Sequence, residues 1–180
     1  GVFADDRYFD VAVEYAKGSP EDILIRIIVT NHGPETAPLD LLPTVWFRNT
    51  WSWSADAEKP ALARVAERSA IELLEPKYGR RWLYAEETGS PQFVFTENDT
   101  NTARVFGYEN GARYTKDAFH RWLIEEDANA VDPAQRGTKA AVVHRLDVTP
   151  GETRTVRLRL TDAAPGAPMF GRDFDGLFAD

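Results

Sequence analysis

Cysteine is absent from the 180-residue chain. The absence of thiolates excludes thiol catalysis, cysteine-based zinc sites and iron–sulfur clusters together. Long hydrophobic runs are absent as well, because the longest apolar-rich stretch, residues 23–29, is interrupted by Arg26 and is too short to span a bilayer. No targeting segment is visible either. We therefore expect a cytoplasmic protein without a membrane partner.

Clusters of basic residues are also lacking. The chain has 21 Lys and Arg residues against 29 Asp and Glu residues, a net charge of −8 that is spread along the sequence. Neutralising nucleic-acid phosphates requires clustered Lys and Arg, so a nucleic-acid partner is not expected. Aromatic residues are plentiful, with ten Phe, six Tyr and five Trp. This composition is typical of a folded globular domain, and the length predicts a single domain over residues 1–180.

Apolar and polar residues alternate along much of the chain, which predicts strands with one buried face. Residues 9–15 and 23–29 form the first two alternating runs, and Leu24 and Ile28 give the second run a second apolar face. A third run, residues 39–47, contains Pro43, which predicts an edge position or a bulge because proline cannot donate to a sheet ladder.

Two further alternating runs, residues 142–148 and 156–160, flank Thr149-Pro150-Gly151-Glu152. Proline and glycine at the second and third positions are typical of a type II turn, so this segment predicts a β-hairpin.

The middle of the chain is less regular. Its propensities predict a short helix or ordered loop over residues 60–67 and a strand over 69–74, and strand alternation resumes at 82–84 and 93–95. At least seven strands, many Pro and Gly turns and little helix predict an all-β protein with an antiparallel β-sandwich.

Metal and nucleotide motifs are not found. The three histidines have no metal-binding spacing, and His144 on an apolar strand face is interpreted as a hydrogen-bonded core residue. Residues 97–101 alternate oxygen-bearing side chains as calcium loops do, but without the glycine and terminal glutamate of such a loop, and we interpret them as a polar turn. No metal or other cofactor is expected.

Paired carboxylates are the remaining route to an enzyme, since glycoside hydrolysis uses an acid and a base across a cleft. The candidates are Glu86-Glu87, Glu125-Glu126-Asp127 and Asp173 with Asp175. Such clusters arise by chance on the solvated surface of so acidic a chain, so we interpret them as surface charge, and the sequence assigns no catalytic residue.

The most unusual segment is residues 46–53, which read WFRNTWSW. If this segment is extended, Trp51 and Trp53 share one face. Indoles beside Arg48 and Asn49 can stack on a sugar ring, or they can pack against core or against a neighbouring domain.

The sequence around these tryptophans resembles a family of large microbial glucosidases related to glycoside hydrolase family 63, the mannosyl-oligosaccharide glucosidase group. The resemblance is carried by residues 7–11, 13–17, 20–26, 41–53, 95–98, 100–101, 116–120, 137–141, 170–171 and 173–175. It covers nearly the whole chain in order, except for residues 55–80.

The resemblance implies that the chain is an internal piece of a longer protein, as its first residue, Gly1, also suggests. In related enzymes an N-terminal β super-sandwich, like that of galactose mutarotase, packs on an (α/α)6 barrel that holds the catalytic acids. We therefore expect a non-catalytic domain whose partner is the downstream barrel of the same chain. A free-standing carbohydrate-binding module and an autonomous carboxylate glycosidase remain alternatives.

Residues that contact the barrel or an oligosaccharide are expected among the polar and aromatic residues of the matching runs. They are Trp46, Arg48, Asn49, Trp51, Trp53, Glu97, Asn98, Asn101, Lys116 and Asp117.

Overall fold

The computed structural model describes residues 7–166 and 169–179. Most of the regular structure within them is strand. The strands are β1 (Phe9–Ser19), β2 (Asp22–Asn31), β3 (Ala37–Leu41), β4 (Thr44–Trp46), β5 (Ala61–Arg64), β6 (Ala70–Glu75), β7 (Gly79–Ala85), β8 (Gln92–Thr96), β9 (Arg136–Gly137), β10 (Lys139–Val148) and β11 (Thr153–Thr161).

The strands form two antiparallel sheets, which confirms the predicted all-β sandwich. One sheet has seven strands in the order β1-β2-β11-β7-β6-β5-β9, and the other is built on β10, which pairs with β3, β4 and β8. Ile27, Leu83 and Leu158 from the first sheet and Phe95 and Val142 from the second are buried in one cluster. The core therefore lies between the sheets, as the period-two alternation requires.

Within the described residues, three short helices lie in the segments between and after the strands. They are α1 (Thr102–Phe106), α2 (Ala118–Ile124) and α3 (Arg172–Gly176). Phe119 of α2 packs with Val94 and Val143 on the outside of the four-stranded sheet. None of the helices in the described part of the chain has the length and apolar character needed to cross a membrane.

Several sequence predictions are confirmed. Strands occur at all of the predicted alternating runs, and the predicted strand over 69–74 is β6. The interruption at Pro43 is also present: β3 ends at Leu41, β4 begins at Thr44, and the Pro43 carbonyl accepts a hydrogen bond from Val142 N at 3.0 Å. The strands were predictable because burial of one strand face makes apolar residues recur at every second position of the sequence.

The prediction of a hairpin around Pro150 is wrong in its pairing. The turn forms, with Glu152 N donating to Thr149 O at 3.0 Å and Gly151 at φ +71°. However, β10 belongs to the four-stranded sheet and β11 lies between β2 and β7 in the other sheet. The segment is thus an arch that connects the two sheets. The alternation is the same as in a hairpin, since each strand directs its own apolar residues towards the shared core.

The prediction of a helix or loop over residues 60–67 is wrong for its first half. Residues 61–64 form β5, which pairs with β6 on one side and β9 on the other, and Leu62 is fully buried. The Ala- and Arg-rich composition favours a helix locally, but strand pairing and burial outweigh a preference of a few tenths of a kcal/mol per residue.

The first strand departs from prediction in its burial. Val11, Val13 and Tyr15 are 50%, 47% and 69% exposed, although they were expected on a buried face. They do lie on the inner side of the sheet, opposite Val29, Ile27 and Ile25 of β2. Their exposure shows that no second layer covers these side chains among the described residues.

Candidate functional site

Residues predicted from three separate segments meet beside the four-stranded sheet. The side chain of Asn98 donates a hydrogen bond to Phe47 O at 2.8 Å, and that of Asn49 donates to Asp99. Lys116 N donates to Asp99 O at 2.9 Å. The structure therefore brings the tryptophan segment 46–53, the polar turn 97–101 and residues 116–117 into one site.

Glu97 and Asn98 are fixed by the buried hydroxyl of Thr138. This hydroxyl donates to Glu97 Oε2 at 2.7 Å and accepts from Asn98 N at 2.8 Å. Lys59 Nζ lies 2.9 Å from the other oxygen of Glu97. The Glu97 carboxylate is therefore already paired, which suits a structural anchor better than a free base.

Close approach of backbones at this point requires a glycine. A Cβ atom on Gly137 would lie 2.2 Å from Thr96 O, so a larger residue would push apart the strand end and the turn that carries Glu97. The same carbonyl accepts a hydrogen bond from Thr138 N at 3.1 Å.

Asp117 is the most fully hydrogen-bonded of the predicted residues. It accepts from the Thr115 hydroxyl at 2.7 Å, from Arg104 at 3.1 Å and from Asn101 at 3.2 Å. Burial alone raises the pKa of Asp117, but these hydrogen bonds together outweigh burial and hold the pKa below its usual value. Asp117 is therefore suited to organising the turn and Asn101, which caps α1 by accepting from Arg104 N.

The tryptophan segment does not have the extended form that would place Trp51 and Trp53 on one face. Trp51–Trp53 is a single turn of 3₁₀ helix, in which Trp53 N donates to Thr50 O at 3.2 Å. Asn49 stabilises this turn by accepting from Ser52 N at 3.3 Å, a local bond that competes with strand formation. Trp51 is half-buried, whereas Trp53 points into solvent with the Arg48 guanidinium 5.3 Å from its ring centre.

Four exposed aromatic residues belong to the segments joined at this site or directly follow them. Trp46, Trp53, Phe106 and Tyr108 are 56%, 69%, 62% and 71% exposed, and we refer to these four as the aromatic rim. Trp46 lies on β4, beside Lys139 of β10. Phe106 and Tyr108 lie at the end of α1, which follows directly from the polar turn bonded to Asn49.

Sequence reasoning missed Lys139 and the α1 aromatics. Lys139 Nζ donates to Lys116 O at 2.6 Å and lies 4.4 Å from the Phe119 ring centre. Burial lowers the pKa of Lys139, Lys116 adds to this, and Asp117 opposes it. The run GTKAA at 137–141 pointed to this lysine, whereas no periodic signal marked Phe106 and Tyr108.

The paired carboxylates considered as catalytic candidates lie in ion pairs or at exposed positions. Glu86 and Asp175 both bind Arg157, at 2.9 Å and 2.8 Å, and Asp127 binds Arg121 at 3.3 Å. Within residues 7–166 and 169–179, the pKa values of the Asp117, Glu35 and Glu152 carboxyls are lowered. A general acid in glycoside hydrolysis needs the opposite shift.

Comparison with known proteins gives one informative relative. No family model matches the chain. The chain is 33% identical over 185 residues to a protein of Saccharomyces cerevisiae named "Uncharacterized protein YMR196W". The alignment covers 88% of this chain but only 17% of the yeast protein, so the chain spans about a sixth of the length of this relative.

Proposed function

We propose that this chain is a non-catalytic β-sandwich domain of a glycoside hydrolase that resembles the family 63 glucosidases. In this role the sandwich is the super-sandwich module, and the aromatic rim docks on a downstream (α/α)6 catalytic barrel of the same cytoplasmic polypeptide. The barrel supplies the acid and base, and the sandwich supports its mouth.

The aromatic rim is the observation that carries this proposal. Large apolar patches on the surface of a soluble domain mark binding sites. The rim residues flank segments that the Asn49–Asp99 and Asn98–Phe47 hydrogen bonds hold together. The residues of the segments that carry the rim, Asn49, Asn98 and Asp117, are held by hydrogen bonds between segments, so these segments form a fixed frame. A fixed apolar surface suits a permanent interface, because little side-chain or loop entropy is lost on docking.

The yeast relative supports a role within a larger chain. An alignment that covers most of this sequence and only 17% of the relative is what a single domain of a long protein would give. The resemblance to glucosidases supplies the class of the catalytic partner.

The test of docking is binding between the 180-residue chain and the rest of the parent polypeptide, measured by calorimetry. The double variant Trp53→Ser with Phe106→Ser should weaken binding at least tenfold, because burying each ring contributes about 1.5–3 kcal/mol. Tyr78→Ser is the matched control, since Tyr78 is 62% exposed but lies in the β6–β7 turn, outside the rim. Equal binding by both variants would contradict the docking role.

The test of catalysis is hydrolysis of glucosides and gluco-oligosaccharides by residues 1–180 alone. We expect no turnover from this chain and turnover from the parent polypeptide. Activity of the isolated chain that is lost on Glu86→Gln or Asp175→Asn would overturn the proposal, since those carboxylates would then be catalytic.

A carbohydrate-binding role is the second candidate, and the pairing of Arg48 with Trp53 favours it. An exposed indole beside a guanidinium offers a stacking face and hydrogen-bond donors for a sugar. If this role is correct, oligosaccharides should quench tryptophan fluorescence of the isolated chain, and Trp53→Ala should abolish that response while Tyr78→Ser leaves it intact.

A further inference from the structure

The outer edge of β1 has backbone groups available for pairing. Within residues 7–166 and 169–179, β1 pairs with β2 on one side and is the end strand of its sheet. His32 N donates to Tyr8 O at 3.0 Å, in the same register that pairs Phe9 with Asn31. Hydrogen-bonded pairs alternate in an antiparallel ladder, so even-numbered residues of β1 direct their N–H and C=O groups towards β2. The odd-numbered residues Phe9, Val11, Val13 and Tyr15 direct theirs outwards.

The same odd-numbered positions carry the uncovered apolar side chains. Val11, Val13 and Tyr15 lie on the inner side of the sheet, and each is about half exposed or more. In the described part of the chain, unpaired backbone groups and exposed apolar side chains thus coincide on one strand of eleven residues. Proteins usually protect an edge of this length with charges, prolines or a covering segment, because it readily pairs with another strand.

The charges on β1 favour pairing about Val13 over the two neighbouring registers of an antiparallel pair of these strands. Antiparallel pairing about Val13 places Val13 opposite Val13, Val11 opposite Tyr15, Asp10 opposite Ala16, and Ala12 opposite Glu14. Moving the strands by two residues in either direction, which keeps the hydrogen bonds aligned, places Glu14 opposite Glu14 or Asp10 opposite Glu14. Like charges directly opposite each other are destabilising, whereas aromatic and β-branched pairs are favourable.

We propose that β1 is the interface for a second copy of this chain, which pairs antiparallel with it about a twofold axis at Val13. The two seven-stranded sheets then continue into each other, and Val11, Val13 and Tyr15 of each copy cover those of the other. This interface is independent of the proposed function, because β1 contributes no residue to the aromatic rim.

The first test is the effect of charge on self-association, measured by sedimentation or by light scattering after gel filtration. The unmodified chain should dimerise, and Val13→Lys should leave it monomeric because two lysines would then face each other. Ala12→Lys is the matched control: it adds the same charge to the same strand, but opposite Glu14 of the other copy, and should retain the dimer. Circular dichroism establishes that both variants are folded.

The second test reads the register by cross-linking, which the absence of native cysteine makes simple. In the proposed dimer Val13→Cys places two thiols in a hydrogen-bonded pair with Cα atoms about 5.5 Å apart, within disulfide range. Val11→Cys separates its two thiols by about 13 Å along the strand, since four residues at 3.3 Å each lie between the opposing positions. Oxidation should therefore yield covalent dimer from Val13→Cys and not from Val11→Cys.

Three results would overturn the proposal. They are a chain that stays monomeric up to its solubility limit, a dimer that survives Val13→Lys, and cross-linking that is equal for the two cysteine variants. If the edge is instead occupied by a strand from elsewhere in the parent polypeptide, the first result is obtained and the parent protects β1 amides from hydrogen exchange.

Discussion

His144 is a buried polar residue that has no hydrogen-bond partner of normal geometry among the described residues. It lies on β10 among the core residues and is 2% exposed, and neither ring nitrogen has a hydrogen-bond partner among the described residues. The prediction of a core position is confirmed, but the prediction of a hydrogen bond is wrong. Burial lowers the pKa of His144, and the Thr88 backbone only opposes this shift, without a hydrogen bond of normal geometry.

We predict that His144 makes the protein sensitive to mild acid. The pKa of His144 is lower in the folded than in the unfolded chain. Protonation of His144 therefore leaves the free energy of unfolding unchanged above the unfolded pKa of about 6.5 and decreases it as the pH falls below that value. His144→Leu should flatten the dependence of the urea midpoint between about pH 7 and pH 5, and should raise stability near neutrality, since an unpaired buried polar group costs about 1–3 kcal/mol.

The control for this prediction is His120→Gln, because His120 is exposed on α2. This variant should keep the acid sensitivity of the unmodified chain. If His144→Leu shows the same pH dependence as His120→Gln, other groups cause the acid sensitivity.

At the scale of elements, the arch between β10 and β11 depends on one asparagine. Asn31, 2% exposed, donates to Glu35 O and to Val148 O, each at 2.8 Å, and accepts from Gly33 N at 2.8 Å. Its backbone bonds both Gly151 and Glu152 of the turn. The end of β2 in one sheet is thereby joined to the end of β10 in the other.

We predict that Asn31→Ala destabilises the protein by about 3 kcal/mol. The substitution leaves two carbonyl oxygens and one amide without their partners, and each such group costs about 1–3 kcal/mol when buried. Urea unfolding gives the measurement. Asn129→Ala, at an exposed position whose side chain makes none of these contacts, should change stability by less than about 0.5 kcal/mol. Similar values for the two variants would show that Asn31 does not hold the arch.

The arch also shows how far sequence reasoning reaches for elements. Both strands and the type II turn were predictable, because alternation and Pro150-Gly151 are local signals. The pairing of the two strands was not predictable, because a hairpin and an arch between layers require the same alternation and the same turn. β5 was missed because its local composition favours a helix, whereas its strand form depends on pairing with the next strand, β6, and with β9, which is distant in sequence.

At the scale of the whole molecule, Arg159 connects β2, β11 and the C-terminal segment. Its guanidinium donates to both oxygens of Asp22, at 2.8 Å and 2.7 Å, and to Met169 O at 3.0 Å. The hydrogen bonds with Asp22 raise the pKa of Arg159. Since both side chains are mostly buried, the pair is shielded from solvent in a way that surface pairs are not.

We predict that Asp22→Asn destabilises the protein by about 2 kcal/mol and increases proteolysis near residues 169–179. This loss of stability is smaller than the loss expected for a fully buried ion pair, because solvent still reaches Arg159. Urea unfolding and limited proteolysis measure the two effects. Glu35→Gln breaks the exposed ion pair with Arg7 and should change neither measurement appreciably. An equal effect of the two substitutions would contradict this account.

The candidate site was predictable in its membership but not in its geometry. Matching runs pointed to Asn49, Asn98 and Asp117, and the structure brings these residues together. The shape of the Trp51–Trp53 turn depends on a bond from Ser52 N to Asn49, which no periodic pattern reveals. The exposure of Phe106 and Tyr108 depends on what the rest of the fold leaves uncovered, and this is a property of the assembled layers.

The position of β11 bears on the order in which the molecule can be built during synthesis. This strand is the last of the eleven along the chain, yet it lies inside the larger sheet, between β2 and β7. On a ribosome, the β1–β2 hairpin and the β5–β7 strands would emerge first and would have to wait, with apolar edges unprotected, for the strand that unites them. Pairing of strands that lie so far apart in sequence is slow. The nascent chain therefore keeps its apolar edges exposed for longer, and a chaperone can bind it during that time.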